Sequence, residues 1–363
     1  QDTLDQVAGC LASGAMAGND ASDDEEMQAL HPSAERIGAS GTAGTVVKSF
    51  ETEVPSTRKE RRMVPLYQVW PSENQFFCRG ILMTGGSEDC WAPNICVWTC
   101  ILLPSSLFFI WVFPSLWHKG AYALPIAVLA VFSMTAFLLC ATCCTDPGIV
   151  PRREVVLATG CGPELQAALG FDVLGGSSDG KEPQLNPKLK TQGYRWCRTC
   201  RIVRPPRASH CSDCDNCVLR FDHHCPFVNN CVGQRNYHFF FGFITSVMIL
   251  AMLVIPSVLT YFSALNQERT VDQMSQASTS MRVALYGLAI GVVLVIVASL
   301  LSLVLWGYHV FLISTSKTTK EFQKSVPNVN EEPTLCAPRG PTLFDRWMKV
   351  DPDDLKVPNQ ARR

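Results

Sequence analysis

The sequence predicts an all-α polytopic membrane protein with four transmembrane helices and a small cytosolic zinc-binding cysteine-rich domain. Two observations support this fold class. Four long apolar blocks contain no Asp, Glu, Lys or Arg, and a helix needs about 20 apolar residues to cross a bilayer. Between the second and third blocks, seven cysteines and three histidines lie from Cys197 to Cys231, at the short spacings that are typical of tetrahedral metal sites.

The four apolar blocks are the candidate membrane spans. Helices buried in the core of a soluble protein are the alternative, but such helices seldom stay uncharged for more than about 20 residues. A short loop around Lys119 joins the first two blocks and predicts a helical hairpin. The blocks cover residues 95–117, 121–144, 239–262 and 283–313.

Lys and Arg next to the blocks predict the orientation of the chain. They are numerous before the first block, between the second and third, and after the fourth. The opposite side carries only Lys119, Arg269 and Arg282. Because positive charge accumulates on the cytosolic side of membrane proteins, both termini and the cysteine-rich domain are predicted to be cytosolic.

The predicted organisation has six parts. They are a disordered N-terminal tail at 1–57, a cytosolic pre-membrane segment at 58–94, transmembrane helices 1 and 2 at 95–144, a cytosolic region at 145–238 with the cysteine-rich domain at about 195–238, transmembrane helices 3 and 4 with a short luminal loop at 239–313, and a cytosolic C-terminal tail at 314–363. Within the cytosolic region, the Gly-, Ser- and Pro-rich segment 155–190 is predicted to be a flexible insertion. In the C-terminal tail, residues 343–349 predict a short amphipathic helix at the membrane surface, with a solvated tail as the alternative.

Charge and cysteine usage narrow the function classes. The net charge is −1, which argues against a nucleic-acid-binding protein. The 17 cysteines could form disulfides in a secreted protein, but pairs at x2 spacing with interspersed histidines favour zinc thiolates in a reducing cytosol.

The cysteine-rich run has more candidate ligands than two zinc ions need. A structural zinc ion takes four Cys or His ligands, so two ions use eight of the ten side chains. A metal-free cysteine-rich loop is the alternative. The candidate ligands are Cys197, Cys200, His210, Cys211, Cys214, Cys217, His224 and Cys231.

The two remaining side chains, His223 and Cys225, follow Asp222 directly. A free thiol with a pKa near 8.5 is only a few per cent thiolate at neutral pH. A neighbouring histidine that is held by an aspartate takes the thiol proton and raises the reactive fraction. The sequence therefore predicts a cysteine nucleophile, a histidine base and an orienting carboxylate beside a membrane. In the alternative, Cys225 is another zinc ligand and His223 only packs.

The run resembles the cysteine-rich domain of the DHHC protein S-acyltransferases (palmitoyltransferases). Two further elements resemble motifs of that family, namely Asp146-Pro147-Gly148 after the second block and Thr318-Thr319-Lys320-Glu321 after the fourth. The stretch from Tyr67 to Cys78 resembles the subgroup that contains plant enzymes and Ras palmitoyltransferases, and the whole resemblance covers about residues 62–325. The residues that carry it are Cys197, Cys200, Arg204-Pro205-Pro206-Arg207, His210-Cys211, Cys214, Cys217, Asp222-His223-His224-Cys225-Pro226, Asn230-Cys231 and Gly233.

The resemblance implies a protein S-palmitoyltransferase that uses a ping-pong mechanism. The acyl group, mainly palmitoyl, would pass from acyl-CoA to Cys225 and then to cysteine thiols of cytosolic or membrane-associated protein substrates. It also implies two interleaved zinc sites. Their ligands would be Cys197, Cys200, His210 and Cys217 in one site, and Cys211, Cys214, His224 and Cys231 in the other.

Location and partners follow from the same resemblance. We expect a multi-pass protein of the endomembrane system (Golgi or ER) or of the plasma membrane, whose partners are protein substrates, acyl-CoA, the lipid bilayer and a possible accessory subunit, with no nucleic acid. Two rival functions are a non-catalytic membrane-anchored zinc-binding scaffold for partner proteins and a RING-like ubiquitin ligase. The intact Asp-His-His-Cys run argues against the scaffold, and the crowded ligands from His210 to Cys217 lack the long central gap of a RING.

Residues in two parts of the chain are predicted to contact the acyl donor. Arg204 and Arg207 could meet CoA phosphates, with anionic lipid headgroups or a structural ion pair as alternatives. The acyl chain is expected between the third and fourth spans. Small and aromatic residues there could shape its slot or could only pack helices together, and they are Gly242, Ser246, Tyr261, Gly287, Gly291 and Ser299.

The sequence departs from the family pattern at two places. Phe227 stands where the family usually has Trp. No Asn-Pro-Tyr-like element is evident near residues 325–345, where the run from Arg339 to Phe344 takes its place.

Overall fold

The structure is a computed structural model that describes residues 62–86, 91–177, 179–268, 279–324 and 342–355. The predicted tail at 1–57 lies outside these residues. Four described helices are long and apolar enough to cross a membrane, as the sequence predicts. They are Ala92–His118, Ala123–Cys144, Tyr237–Tyr261 and Ile296–Ser314, which we call the first to fourth spans. The third and fourth spans belong to longer helices, Tyr237–Glu268 and Thr279–Ser314.

The first span changes its helical winding in the middle. An α-helix covers Ala92–Leu107, a π-helical turn covers Phe108–Val112, and an α-helix continues over Phe113–His118. Pro104 and Pro114 lie inside the span, and a proline has no N–H to donate to the preceding turn, so local rewinding is expected near it. The hairpin to the second span turns at Gly120, whose φ of +76° suits a residue without a side chain.

The four spans pack together around an apolar core. Phe108, Leu139, Phe241 and Leu312 are among its fully buried side chains. The second and third spans approach closely at Gly242, where an added Cβ would lie 3.4 Å from the Leu138 side chain. Small residues at such contacts let membrane helices pack backbone to backbone.

The all-α prediction is wrong for the region outside the spans, which contains small antiparallel sheets. The described strands are β1 Val64–Pro65, β2 Asn74–Phe77, β3 Leu82–Gly86, β4 Ile149–Val150, β5 Arg195–Cys197, β6 Ile202–Arg204, β7 Ser209–Cys211, β8 Asn216–Val218, β9 His223–Cys225, β10 Asn230–Val232 and β11 Lys349–Val350. The sheets pair β1 with β11, β2 with β3, β5 with β6 and β9 with β10, and a three-stranded sheet has the order β4-β8-β7.

Short hairpins follow from the cysteine spacing. In each Cys-x2-Cys pair the chain must turn back so that both sulfurs meet. Arg201 follows Cys200 with a φ of 51°, and Asp215 follows Cys214 with a φ of 51°. A left-handed residue reverses the chain within one residue, so these segments form tight knuckles rather than helices.

The first half of the segment 155–190 folds into helices and is not a flexible insertion. The helices Arg153–Thr159 and Gly162–Leu169 each end at a left-handed glycine, Gly160 and Gly170, which is the common helix C-cap. Val155, Val156 and Leu165 from these helices are buried, together with Val173. The prediction of flexibility missed these apolar side chains because glycines separate them.

The described residues 342–355 dock on the region outside the spans. Val350 and Lys349 of β11 pair antiparallel with Val64 and Pro65 of β1. Leu343 and Phe344 are buried, and Phe344 stacks on Trp70 at a centroid distance of 4.7 Å. The predicted amphipathic helix at 343–349 is therefore wrong: these residues form turns and a strand that closes a small core.

Removing the Phe344 ring should destabilise the region outside the spans. Phe344→Ala deletes a ring that is 5 % exposed and is expected to cost about 3–5 kcal/mol of unfolding free energy. Thermal unfolding of the purified protein measures the effect. Lys349→Ala, whose side chain is exposed on the same segment, serves as the control. Equal melting temperatures for the Phe344 variant and the parent would contradict the docking of the tail.

Candidate active site and metal clusters

The region outside the spans brings eight Cys and His side chains into two clusters that could each hold a metal ion. In each cluster the candidate ligand atoms lie within 4.8 Å of one another. The grouping is the one that the family resemblance implies. One cluster contains Cys197, Cys200, His210 and Cys217, and the other contains Cys211, Cys214, His224 and Cys231.

The distances in the second cluster suit a tetrahedral ion. The Nδ1 atom of His224 lies 3.4 Å from the Cys214 sulfur and 3.6 Å from the Cys231 sulfur, and the two sulfurs lie 3.5 Å apart. Metal–ligand bonds of about 2.0–2.3 Å in a tetrahedron put neighbouring ligand atoms about 3.5–3.8 Å apart. The donor atoms therefore fit a zinc-sized ion without rearrangement.

The first cluster has the same dimensions and a carboxylate behind it. Nδ1 of His210 lies 3.4 Å from the Cys200 sulfur. On the other side of the ring, Nε2 lies 3.6 Å from Asp215, whose carboxylate accepts a 2.6 Å hydrogen bond from Arg152. A carboxylate on the outer nitrogen orients a metal-binding imidazole, so Asp215 favours Nδ1 as the ligand atom.

Alternation of side chains along short strands separates the two Cys/His clusters from each other and from His223 and Cys225. Successive side chains of a strand point to opposite faces. On β7 this sends His210 to one cluster and its neighbour Cys211 to the other. On β9 it sends His224 to the second cluster and leaves His223 and Cys225 together on the opposite face.

Asp222 orients His223 from a buried position. Its carboxylate lies 2.6 Å from Nδ1 of His223 and is not exposed to solvent. Two further hydrogen bonds reach the carboxylate from Thr319, one from the backbone N–H at 2.8 Å and one from the hydroxyl at 2.7 Å. The carboxylate is thus held at both oxygens, which restricts the direction in which the His223 ring can point.

His223 and Cys225 form a charged pair. Burial opposes charge on the imidazole, but hydrogen bonds with Asp222 and Cys225 and their negative charges outweigh it and raise the pKa of His223 to about 10. Burial also opposes the Cys225 thiolate, yet the hydrogen bond and charge of His223 and the N–H groups of Phe227 and Val228 lower the pKa of Cys225. Such a pair keeps the sulfur in its nucleophilic form.

An apolar cavity of about 530 Å³ begins at Cys225 and runs between the spans. The sequence predicts a slot between the third and fourth spans, and both contribute to the walls. The first span contributes as well, which the sequence did not predict; its lining residues are Cys96, Val97, Cys100, Ile101, Pro104 and Ser105. Of the described residues that were predicted to shape the slot, Ser299 lines the cavity, whereas Gly242 packs on Leu138.

The first span is tied to the turn after Cys225. The side-chain amide of Asn94 donates a 2.9 Å hydrogen bond to the Phe227 carbonyl oxygen, and Asn94 is buried. Phe227 is 52 % exposed and lines the cavity beside Cys225. Phe227 therefore still provides an aromatic side chain in the cavity wall, although the family usually has Trp at this position.

The two predicted CoA-contacting arginines differ in their surroundings. Arg207 donates a 2.6 Å hydrogen bond from Nε to the Glu321 carboxylate and a 3.1 Å hydrogen bond to the Ser316 carbonyl oxygen. Arg204 has a buried Nε without a hydrogen-bond partner among the described residues. Arg207 thus forms a structural ion pair, which was one alternative to a contact with CoA. Binding of CoA phosphates by Arg204 or Arg207 stays a prediction.

Sequence reasoning missed three residues around the site, namely Asn94, Tyr237 and His309. All three lie in the spans, which the sequence predicts from their apolar residues alone. Polar side chains in otherwise apolar helices are the signal that could have identified them. Thr319 was within the recognised Thr-Thr-Lys-Glu element, but its contact with Asp222 depends on the tertiary structure.

Four apolar helices joined to a domain with two Cys/His clusters define a multi-pass membrane protein whose extramembrane domain could hold two metal ions, and comparison with known proteins identifies its family. The model of the family "DHHC palmitoyltransferase" matches residues 190–326. Palmitoyltransferase ZDHHC18 of Homo sapiens is 33% identical over 84% of this chain and 79% of the relative. Palmitoyltransferase ZDHHC14 of Homo sapiens is 33% identical over 84% of this chain and 64% of the relative. The chain belongs to the DHHC palmitoyltransferase family and is a protein S-palmitoyltransferase.

Purified protein should contain two metal ions per chain, because the two clusters each offer four donor atoms. Elemental analysis measures the content. Cys200→Ser should remove one equivalent and lower the melting temperature, since metal binding and folding of such domains are coupled. Cys161→Ser, a buried cysteine outside both clusters, should keep both equivalents. One equivalent in the parent protein would contradict the two-cluster arrangement.

Proposed function

We propose that this S-palmitoyltransferase works by a ping-pong mechanism in which Cys225 carries the acyl group between acyl-CoA and a substrate cysteine. The observation that carries the proposal is the position of the Asp222–His223–Cys225 set at the end of an apolar cavity. A nucleophile, a base and an orienting carboxylate are the parts that thioester exchange requires.

In the loading step, the Cys225 thiolate attacks the carbonyl carbon of the acyl-CoA thioester. The carbon–sulfur bond to CoA breaks, and the departing CoA thiolate receives the proton held by His223. In the transfer step, His223 takes the proton of the substrate thiol, the substrate sulfur attacks acyl-Cys225, and the Cys225 thiolate is released. Asp222 holds the imidazole throughout and stabilises its charged form.

The acyl chain lies in the cavity that begins at Cys225. Its walls are apolar side chains of the first, third and fourth spans. Burial contributes about 0.8 kcal/mol per methylene, so long chains such as palmitoyl gain the most. Arg204 and Arg207 are the proposed contacts of the CoA phosphates, with Arg207 also bonded to Glu321.

Zinc is the metal that the donor set favours. Each cluster has three cysteines and one histidine, and soft thiolates in a closed tetrahedron select zinc over harder divalent ions. The ions are structural: they would hold the knuckles and thereby the strand that carries His223 and Cys225. Cys225 lies in neither cluster, which supports its role as the nucleophile.

The proposed setting is a membrane of the endomembrane system (Golgi or ER) or the plasma membrane. Both termini and the cysteine-rich domain face the cytosol, where acyl-CoA and protein substrates with free thiols are found. An accessory subunit remains a proposed partner. The six-part organisation along the chain, with cytosolic segments at 1–94, 145–238 and 314–363, is part of this proposal.

Cys225→Ser should abolish hydroxylamine-sensitive labelling by radioactive palmitoyl-CoA and should leave both metal equivalents in place. The reason is that the serine hydroxyl cannot form the thioester, while neither cluster uses Cys225. Intact mass after incubation with palmitoyl-CoA measures the loading. Full labelling and full transfer by the serine variant would show that another cysteine carries the acyl group.

His223→Ala should slow loading by roughly 10²–10⁴-fold, which is the usual contribution of general acid–base catalysis. Rapid-quench measurement of acyl-Cys225 formation gives the rate. Metal content must be measured on the same sample, because loss of one equivalent would make His223 a ligand instead of a base.

A topology test separates the two orientations of the chain. A glycosylation acceptor inserted near Ser275, which lies outside the described residues, should be modified, because the loop between the third and fourth spans is proposed to face the lumen. An acceptor near Ser177 should stay unmodified, because that segment is proposed to be cytosolic. The reverse pattern would put Cys225 on the wrong side of the membrane for acyl-CoA.

A further inference from the structure

A hydrogen-bonded tyrosine–histidine pair lies behind the active site. His309, on the fourth span, is 1 % exposed, and Tyr237, at the start of the third span, is 2 % exposed. The Tyr237 hydroxyl oxygen and Nδ1 of His309 are 2.9 Å apart. Ionisable side chains inside membrane helices are costly and usually have a functional reason, and neither the two clusters nor the Asp222–His223–Cys225 set includes these two.

His309 of this pair packs against the ring of His223. The His223 and His309 centroids are 6.1 Å apart with the rings tilted by 40°. Phe240 meets both rings edge to face, at 5.4 Å from His223 and at 5.0 Å from His309. The three rings therefore form one closed aromatic cluster, which the Tyr237 hydrogen bond anchors.

Asp222 by itself leaves one motion of the catalytic imidazole free. Its single hydrogen bond restrains Nδ1 of His223 but tolerates small rotations of the ring about the Cβ–Cγ bond, because that torsion has a broad minimum in histidine. Such a turn moves Nε2, the nitrogen on the far side of the ring from Asp222, away from the Cys225 sulfur. Neighbours that pack on the ring set its plane and keep this nitrogen aligned.

His309 is suited to this task only when its own ring is fixed. A histidine ring without a hydrogen-bond partner has the same broad torsion, and a mobile His309 ring could not restrain the plane of the His223 ring. The hydrogen bond to Tyr237 joins the third span to the fourth and selects one orientation of the His309 ring. The orientation of His223 thus depends on two helices that contribute no side chain to the Asp222–His223–Cys225 set.

We propose that Tyr237 and His309 are positioning residues for acyl transfer, which hold the plane of the His223 ring so that its nitrogen stays aligned with the Cys225 sulfur. The proposal rests on the role of His223 as the base. It assigns no contact with acyl-CoA to either residue. Their loss should therefore slow the chemical step without weakening the binding of the donor.

The test compares loading of Cys225 in the full-length protein across a double-mutant cycle. Tyr237→Phe and His309→Phe should each lower kcat for loading by about 10-fold to 100-fold, the range expected when a reacting group is displaced by up to about 1 Å. KM for palmitoyl-CoA should not change. The loading rate of the double variant should be no lower than that of the slower single variant, because both changes remove the same hydrogen bond.

A conservative variant and a matched control separate positioning from stability. His309→Asn keeps a polar atom near the place of Nδ1 and should recover part of the rate lost in His309→Phe. Thr245→Val removes another hydrogen bond between the same two spans, which Trp306 donates to the Thr245 hydroxyl at 3.1 Å, and should load at the parent rate. Metal content and melting temperature are measured for every variant.

Parent rates in Tyr237→Phe and His309→Phe would overturn the proposal, as would an equal loss in Thr245→Val. The same experiment includes His223→Ala. If that variant also loads at the parent rate, the proposed base is wrong. If it is slow while the Tyr237 and His309 variants are fast, only the positioning role fails.

Discussion

The opposite directions of adjacent side chains on β9 are the constraint on which the site depends. His224 points into a metal cluster, so His223 and Cys225 must point away from it and toward the membrane bundle. The metal ion that the cluster is built to hold would clamp the strand at its middle residue. A structural ion there would position the proposed nucleophile without touching it, because the backbone of three residues transmits the constraint.

The same strand is held from the membrane side by the turn after the fourth span. Thr319 donates two hydrogen bonds to Asp222, and Glu321 pairs with Arg207 of the cysteine-rich domain. Thr318 caps the short helix Thr319–Gln323 through a reciprocal capping box with Glu321, which fixes the direction of the Thr319 N–H. The cysteine-rich domain and the helix bundle are therefore joined at the carboxylate that holds His223, the proposed base.

Burial explains the chemistry that this junction supports. Asp222 is inaccessible to solvent, and burial alone would favour its neutral form. The hydrogen bond and charge of His223, together with the Thr319 N–H, reverse that preference and keep the pKa of Asp222 lowered. A charge is stable in a water-poor site only where its partners are already in place, so the charge on Asp222 depends on the contacts that His223 and Thr319 make with it.

The sequence by itself determined the four spans, the family and the composition of the site. Uncharged apolar blocks and cysteine spacing are local signals, and the run from Cys197 to Cys231 is dense enough to identify the family without any fold. It also determined which residues are left when eight ligands are assigned, although their roles remain proposals. It did not determine the sheets, because paired strands of two to five residues carry too little periodicity to separate from turns.

Only the tertiary structure decided what surrounds those residues. The docking of Phe344 on Trp70, the contribution of the first span to the cavity and the contact of His309 with His223 join positions that are far apart in the chain. No local pattern predicts such contacts, because each depends on how whole helices and hairpins pack. The physical reason is that spacing along the chain specifies which side chains share a strand face or a knuckle, whereas packing specifies which faces meet.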